Sequence, residues 1–227
     1  MTPAGLARVL LAECAEHGVW LIVDAAYEHI VHADAATSAR RVDAADADAA
    51  DADAADARLI SLHTFSKSYG LAGWRVGYMH YPRELHGPLL QAQDSLPTHA
   101  STYAQRLAHA ALTVLGPDWV AEQVATLAAP RAALWEALAP LRTGQEAPLT
   151  PPAGAFYYLV PLPRADEAAE VEAVRALAEE FSLLTLPGSI FGAPGHLRVS
   201  YGAIAPDAVD GVATRLERAA RHLAARG

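Results

Sequence analysis

Thr64-Phe65-Ser66-Lys67-Ser68-Tyr69-Gly70-Leu71-Ala72-Gly73-Trp74-Arg75-Val76-Gly77 is the stretch on which the reading of this chain turns. It follows a short apolar run, Arg58–Leu62, that reads as a strand. A lone lysine behind hydroxyl residues is ordinarily a surface side chain. Here Gly70 and Gly73 follow it, and Arg75 comes after them. Glycines let backbone approach a ligand closely, and hydroxyls with an arginine suit a phosphate. Lysine is also the side chain that forms Schiff bases when it is desolvated or placed beside another cation.

Upstream, Val19-Trp20-Leu21-Ile22-Val23 is a continuous apolar run that ends in Asp24. A run without alternation, following a helix, is expected to be a parallel strand buried on both faces. The helix before it is expected over Thr2–His17, with Thr2 as cap, Pro3 in the first turn and Leu6, Val9, Leu10 and Cys14 at helical spacing. In open α/β sheets, ligands bind beyond the carboxyl ends of strands, so Asp24 and the Thr64–Gly77 segment both stand where chemistry is expected.

Downstream, helices are expected over Glu84–Gln93 and Thr102–Val114, separated at Ser95-Leu96-Pro97. A longer helix is expected from about Asp118 to Leu141, with a kink or boundary at Pro130. Beyond Pro148 strand and helix alternate: strand Ala155–Val160, helix Glu167–Glu180, the segment Leu183–Leu186, strand Leu197–Tyr201 and helix Pro206–Ala225. The chain therefore divides into a first domain over residues 1–117, a helical connection over 118–147 and a smaller α/β domain over 148–227.

At these residues the chain resembles the class I/II aminotransferases, enzymes of fold type I that depend on pyridoxal phosphate. Thr64–Gly77 follows their lysine signature at every position but the first, where Thr64 stands for the usual Ser or Gly and keeps the hydroxyl. The resemblance extends to Asp24-Ala25-Ala26-Tyr27, to Gly154-Ala155-Phe156-Tyr157, to Pro187-Gly188-Ser189-Ile190-Phe191-Gly192 and to Leu197-Arg198-Val199-Ser200-Tyr201, in the family's order. It implies an α/β fold: the later part of a large, mixed and largely parallel sheet domain, followed by the small C-terminal domain.

The resemblance also implies roles. Lys67 would hold pyridoxal 5'-phosphate as a Schiff base and shuttle the substrate proton. Asp24 would keep the pyridine nitrogen protonated, and Tyr27 would hydrogen-bond the ring oxygen. Thr64 and Arg75 would bind the phosphate, with Ser66 beside the lysine. Arg198 would grip the substrate α-carboxylate through its planar fork. Amino acids and 2-oxo acids are the implied substrates, and a homodimer is the implied assembly. Two other readings stay open: a lyase of the C–S β-elimination type on the same scaffold, and a non-catalytic remnant. In the family a long N-terminal portion precedes the segment that matches here, so poor solubility or weak cofactor affinity is expected of this chain by itself.

Composition sets outer bounds. The chain has 227 residues, 17 Lys+Arg against 26 Asp+Glu, and a formal net charge of −9. Six of the negative charges fall in residues 43–57, which read DAADA three times; without them the balance is −3. That tract is expected to be a solvated low-complexity insertion rather than a cation site. An acidic balance argues against nucleic acid. The single Cys14 excludes a disulfide framework. No apolar run reaches the roughly 18–20 residues of a membrane span. With no basic segment leading an apolar one at Met1–Gly5, a cytoplasmic protein is expected. His29 and His32 are read as scattered histidines rather than metal ligands, and Trp20, Trp74, Trp119 and Trp135 as core or interface residues.

Overall fold

The structure, a computed structural model, describes residues 6–32, 58–143, 149–164 and 166–226. The DAADA tract and the Thr2-Pro3 cap lie outside the described residues. The chain forms two compact units, Met1–Val124 and Ala125–Gly227.

The first unit begins with α1 (Leu6–Glu16), followed by β1 (Leu21–Asp24). The strand β2 (Leu59–Thr64) pairs with it in parallel, Leu21 opposite Leu59 and Asp24 opposite Leu62. The third strand, β3 (Gly77–His80), pairs antiparallel to β2, with Thr64 opposite Gly77. The sheet order is β1-β2-β3. The expected parallel pairing is present, but burial of β1 on both faces is not: its residues alternate, and Ile22 is 61 % exposed. An unbroken apolar run signals strand; whether a layer covers each face depends on the rest of the fold. The β3 strand went unread because four residues, Gly77-Tyr78-Met79-His80, are too few to show a strand periodicity.

Gly77 is required where it stands. A Cβ there would lie 2.5 Å from the His63 carbonyl oxygen, closer than any side chain tolerates. Its absence lets β3 close onto the end of β2, directly beneath the lysine turn. Helices α2 (His86–Ser95), α3 (Thr102–Ala110, continued by a π turn over Ala111–Leu115) and α4 (Gly116–Thr126) follow. The side chain of Ser101 caps α3 by accepting from Ala104 N at 3.1 Å.

Over Asp118–Leu141, where a helix with a kink or boundary at Pro130 is expected, the structure has α4, α5 (Ala128–Ala137) and the short α6 (Ala139–Arg142). Pro130 sits in the first turn of α5, where its missing N–H costs nothing. The rest of the second unit is β4 (Tyr157–Pro161), α7 (Glu167–Phe181), β5 (Leu186–Pro187), β6 (His196–Ser200) and α8 (Val209–Ala224). Its sheet is antiparallel throughout, in the order β4-β6-β5.

One face of that sheet is core. Tyr158 and Val160 on β4, Leu197 and Val199 on β6, and Leu216 on α8 are all nearly inaccessible. The other face is more open, with Leu159 and Leu186 both exposed beside Arg198. Trp135 packs against the core, whereas Trp74 is 49 % exposed and belongs to no core. His32 is 5 % exposed, buried rather than scattered on the surface.

Candidate functional site

Strand β2 ends in Thr64, and that residue caps the helical turn Phe65–Ser68 that follows. Its backbone is extended, and its hydroxyl accepts from Ser66 N at 3.1 Å. A hydroxyl-to-hydroxyl hydrogen bond of 2.9 Å also joins Thr64 to Ser66. One proton of the two hydroxyls serves that bond, which leaves the other for an incoming acceptor. Phe65 and Ser68 are buried, and Lys67 is exposed. The turn is therefore anchored by the residues on either side of the lysine.

The chain then reverses. Tyr69 N and Leu71 N both donate to the Phe65 carbonyl at 3.2 Å, and Gly70 takes the left-handed backbone that such a reversal needs, with φ +67°. Arg75 closes the following 3-10 turn at φ 52°, and its guanidinium donates to the Ala72 carbonyl at 2.9 Å. Phe65 N donates to the Val76 carbonyl at 3.3 Å, tying both ends of the excursion together. A small apolar cluster of Phe65, Val76, Ala104 and Ala108 lies below it.

Asp24 ends β1, next to β2 in the sheet. Its carboxylate accepts from Ala26 N at 3.0 Å, which starts the turn that carries Tyr27. Ala25 N donates to the Leu62 carbonyl at 2.9 Å, so that turn is sewn to β2. The Lys67 Nζ lies 5.8 Å from the centre of the Tyr27 ring. The structure thus gathers Asp24, Tyr27, Thr64, Ser66, Lys67 and Arg75 at one end of a two-strand parallel pair and the turns that leave it.

A further pair holds this end together, and sequence reasoning passed over it. His63 Nδ1 donates to Glu28 Oε1 at 2.8 Å, both side chains being largely buried. The His63 ring stacks on Tyr78 of β3, centroids 4.6 Å apart and planes within 8°. Glu28 follows Tyr27 and His63 precedes Thr64, so the contact ties the tyrosine turn to the lysine strand. The available signal was position alone: each residue adjoins one already singled out.

Arg198 stands in the second unit, in the middle strand β6, opposite Leu159 on one side and Leu186 on the other. Two rings lie against its guanidinium: Tyr157 at 4.0 Å and Phe191 at 4.5 Å. Such contacts use the flat faces of a guanidinium and leave its N–H edge. Among the described residues no carboxylate pairs with it. Also among them, no group of three or more His, Cys, Asp or Glu could hold a metal ion, and no helix is long and apolar enough to cross a membrane.

The family model described as aminotransferase class I and II matches residues 4–216. An aromatic aminotransferase of Arabidopsis thaliana is 32 % identical over 224 residues, covering 97 % of this chain and 52 % of that protein. The aspartate aminotransferase of Geobacillus stearothermophilus is 29 % identical over 223 residues, covering 94 % of this chain and 51 % of the other. Among solved structures, a double mutant of the Thermus thermophilus aspartate aminotransferase superposes with a TM-score of 0.75 at 25 % identity, over 96 % of this chain and 52 % of that one. An aminotransferase from Mycobacterium tuberculosis shares the fold, with a TM-score of 0.78 at 20 % identity, over 99 % of this chain and 54 % of its own. The chain spans about half the length of the curated relatives it matches.

Proposed function

The chain belongs to the class I and II aminotransferase family, and from that premise we propose that it serves a pyridoxal-phosphate-dependent amino transfer between an L-amino acid and a 2-oxo acid. The observation that carries the reading is the grouping at the carboxyl ends of β1 and β2: a lysine 5.8 Å from a tyrosine ring, a carboxylate on the neighbouring strand, a hydroxyl pair and an arginine.

This donor set fits the cofactor's chemistry. Arg75 and the Thr64–Ser66 pair offer a cation and a spare hydroxyl proton to a phosphate. Asp24 offers a carboxylate to a protonated ring nitrogen, and Tyr27 a phenol to a ring oxygen. When bound, pyridoxal phosphate supplies a carbonyl for exchange with amino groups and a ring that draws electrons from the substrate Cα. Lys67 would hold the cofactor covalently, and its amine would carry the proton at the substrate Cα. Arg198 fixes the substrate's α-carboxylate, which selects the bond to Cα that breaks. The relatives reported above are named for amino transfer, and this favours transamination over the β-elimination that the scaffold also allows. Substrates of the aspartate or aromatic class, a homodimer and a cytoplasmic setting belong to the same proposal.

The test is reduction of the protein with borohydride after incubation with pyridoxal phosphate, followed by peptide mass mapping. The added mass is expected on the peptide that contains Lys67 and is expected to vanish in Lys67→Ala. With 2-oxoglutarate and an amino acid, the wild type is expected to form glutamate and Lys67→Ala to form none. Covalent labelling elsewhere, or equal turnover by both proteins, would overturn the proposal.

A further inference from the structure

One buried carboxylate has no part in the roles above. Glu170, on α7, is 0 % exposed. Its Oε2 accepts from Ser189 N at 3.0 Å, and its Oε1 accepts from Gly195 N. The Ser189 hydroxyl and the His196 N–H also favour its charged form. Burial works to raise the pKa of this carboxyl, and the interactions with Ser189, Gly195 and His196 outweigh it, holding the group below its ordinary range.

Ser189 and Gly195 belong to the segment between β5 and β6, and His196 opens β6. That segment is wound tightly: Ala193 N donates to the Gly188 carbonyl and Gly192 N to that of Ser189, each at 3.0 Å. Gly188 has no room for a side chain, since a Cβ would meet the Ala193 carbonyl oxygen at 2.3 Å. What the segment carries outward is Phe191, whose ring lies 4.5 Å from the Arg198 guanidinium. Ser189, which Glu170 holds, is two residues before Phe191; Gly195, which it also holds, is three residues before Arg198. Both halves of the Phe191–Arg198 contact are therefore anchored on one side chain.

We infer that Glu170 is a positioning residue for carboxylate recognition: its side chain gathers the Gly188–His196 loop so that Phe191 stays against Arg198 and the guanidinium edge faces the substrate. This rests on the reading of Arg198 as the substrate-carboxylate arginine. An anion suits the task because it can only accept, and the loop presents it with N–H and O–H donors. A glutamine would turn an NH2 group toward one of those donors. Turning inward, the carboxylate also orders the loop without pairing with Arg198, whose donors stay available.

The experiment uses the full chain incubated with pyridoxal phosphate, with succinate as an unreactive carboxylate probe. In Glu170→Gln the succinate Kd is expected to rise about tenfold, the size of effect that follows loss of a charge-assisted hydrogen bond. Cofactor trapping at Lys67 is expected to remain at the wild-type level. The nuclear Overhauser contact between the Phe191 ring and the Arg198 Nε–H is expected to weaken, and amide exchange at Ser189 and Gly195 to accelerate. Ser189→Ala, which removes a single hydroxyl, should fall between the two proteins, and it decides the matter alone if Glu170→Gln does not fold. Succinate affinity within twofold of wild type, with the Phe191–Arg198 contact intact, would overturn the inference. If the wild type binds no succinate, the reading of Arg198 fails instead, and the clamp stands or falls on the Phe191–Arg198 contact alone.

Discussion

The neighbours of Lys67 build its setting. Thr64 caps the turn, Phe65 and Ser68 bury its two sides, and Gly77 lets β3 pass beneath. Gly77→Ala would press a methyl group into the His63 carbonyl oxygen, so the strands must part. That substitution is expected to destabilise the first unit by about 1–3 kcal/mol, the usual range for overpacking, read by urea denaturation. Labelling of Lys67 by the cofactor should fall with it. At Arg198 the argument concerns shape, not charge. Arg198→Lys keeps the cation but loses the planar fork that two rings hold. The expected result is a KM for the amino acid raised about 10- to 100-fold, since charge-assisted hydrogen bonds contribute about 1.5–3 kcal/mol. Borohydride trapping at Lys67 should be unchanged, and steady-state kinetics beside mass mapping separates the two effects.

Elements place these residues by their ends and their faces. The carboxyl end of β1 and that of β2 are neighbours because the two strands run parallel, which brings Asp24 and Thr64 to the same side of the sheet. The α7 helix does the opposite: it places a carboxylate on its apolar face. Glu170 shares that face with Ala173 and Leu177, at helical spacing. Since its folded-state pKa lies below the unfolded one, its ionisation stabilises the second unit above the ordinary carboxylate range. That stability is lost as pH falls through the folded value. Thermal unfolding of the second unit is expected to hold steady from neutrality to about pH 5 and to decline below it. In Glu170→Gln the unit should melt lower at neutral pH and show a shallower acid decline. Calorimetry over a pH series checks both.

Across the molecule the two units differ in how much they bury. The second has a continuous core that runs from α5 and α6 through β4 and β6 to α8. The first, among the described residues, has a small cluster under the lysine turn, and exposes Ile22, Trp74, Tyr78, Met79, Leu112 and Val114. Burial of apolar area is the main stabilising term in folding. Amides of β4, β6 and α8 are therefore expected to exchange with solvent more slowly than those of β1, β2 and β3. Hydrogen exchange read by mass spectrometry tests this, and equal protection in the two sheets would contradict it. Exposed apolar surface of this kind also suits the proposed homodimer.

The sequence by itself determined the family resemblance and the parallel pair of strands, with Asp24 and Thr64 at their carboxyl ends. These rest on local rules: which residues form Schiff bases, which turns require glycine, and where strands end. It also placed Arg198 in a strand, expected over Leu197–Tyr201 and found over His196–Ser200. Only the tertiary structure decided the rest. The exposure of Ile22 depends on what lies over the sheet, and the β3 strand exists because it pairs, not because its side chains alternate. The Glu28–His63 contact joins residues 35 apart, and Glu170 meets Gly195 across 25. No local pattern encodes such contacts, since a carboxylate in a helix looks the same in sequence whether it meets water or a loop's backbone donors.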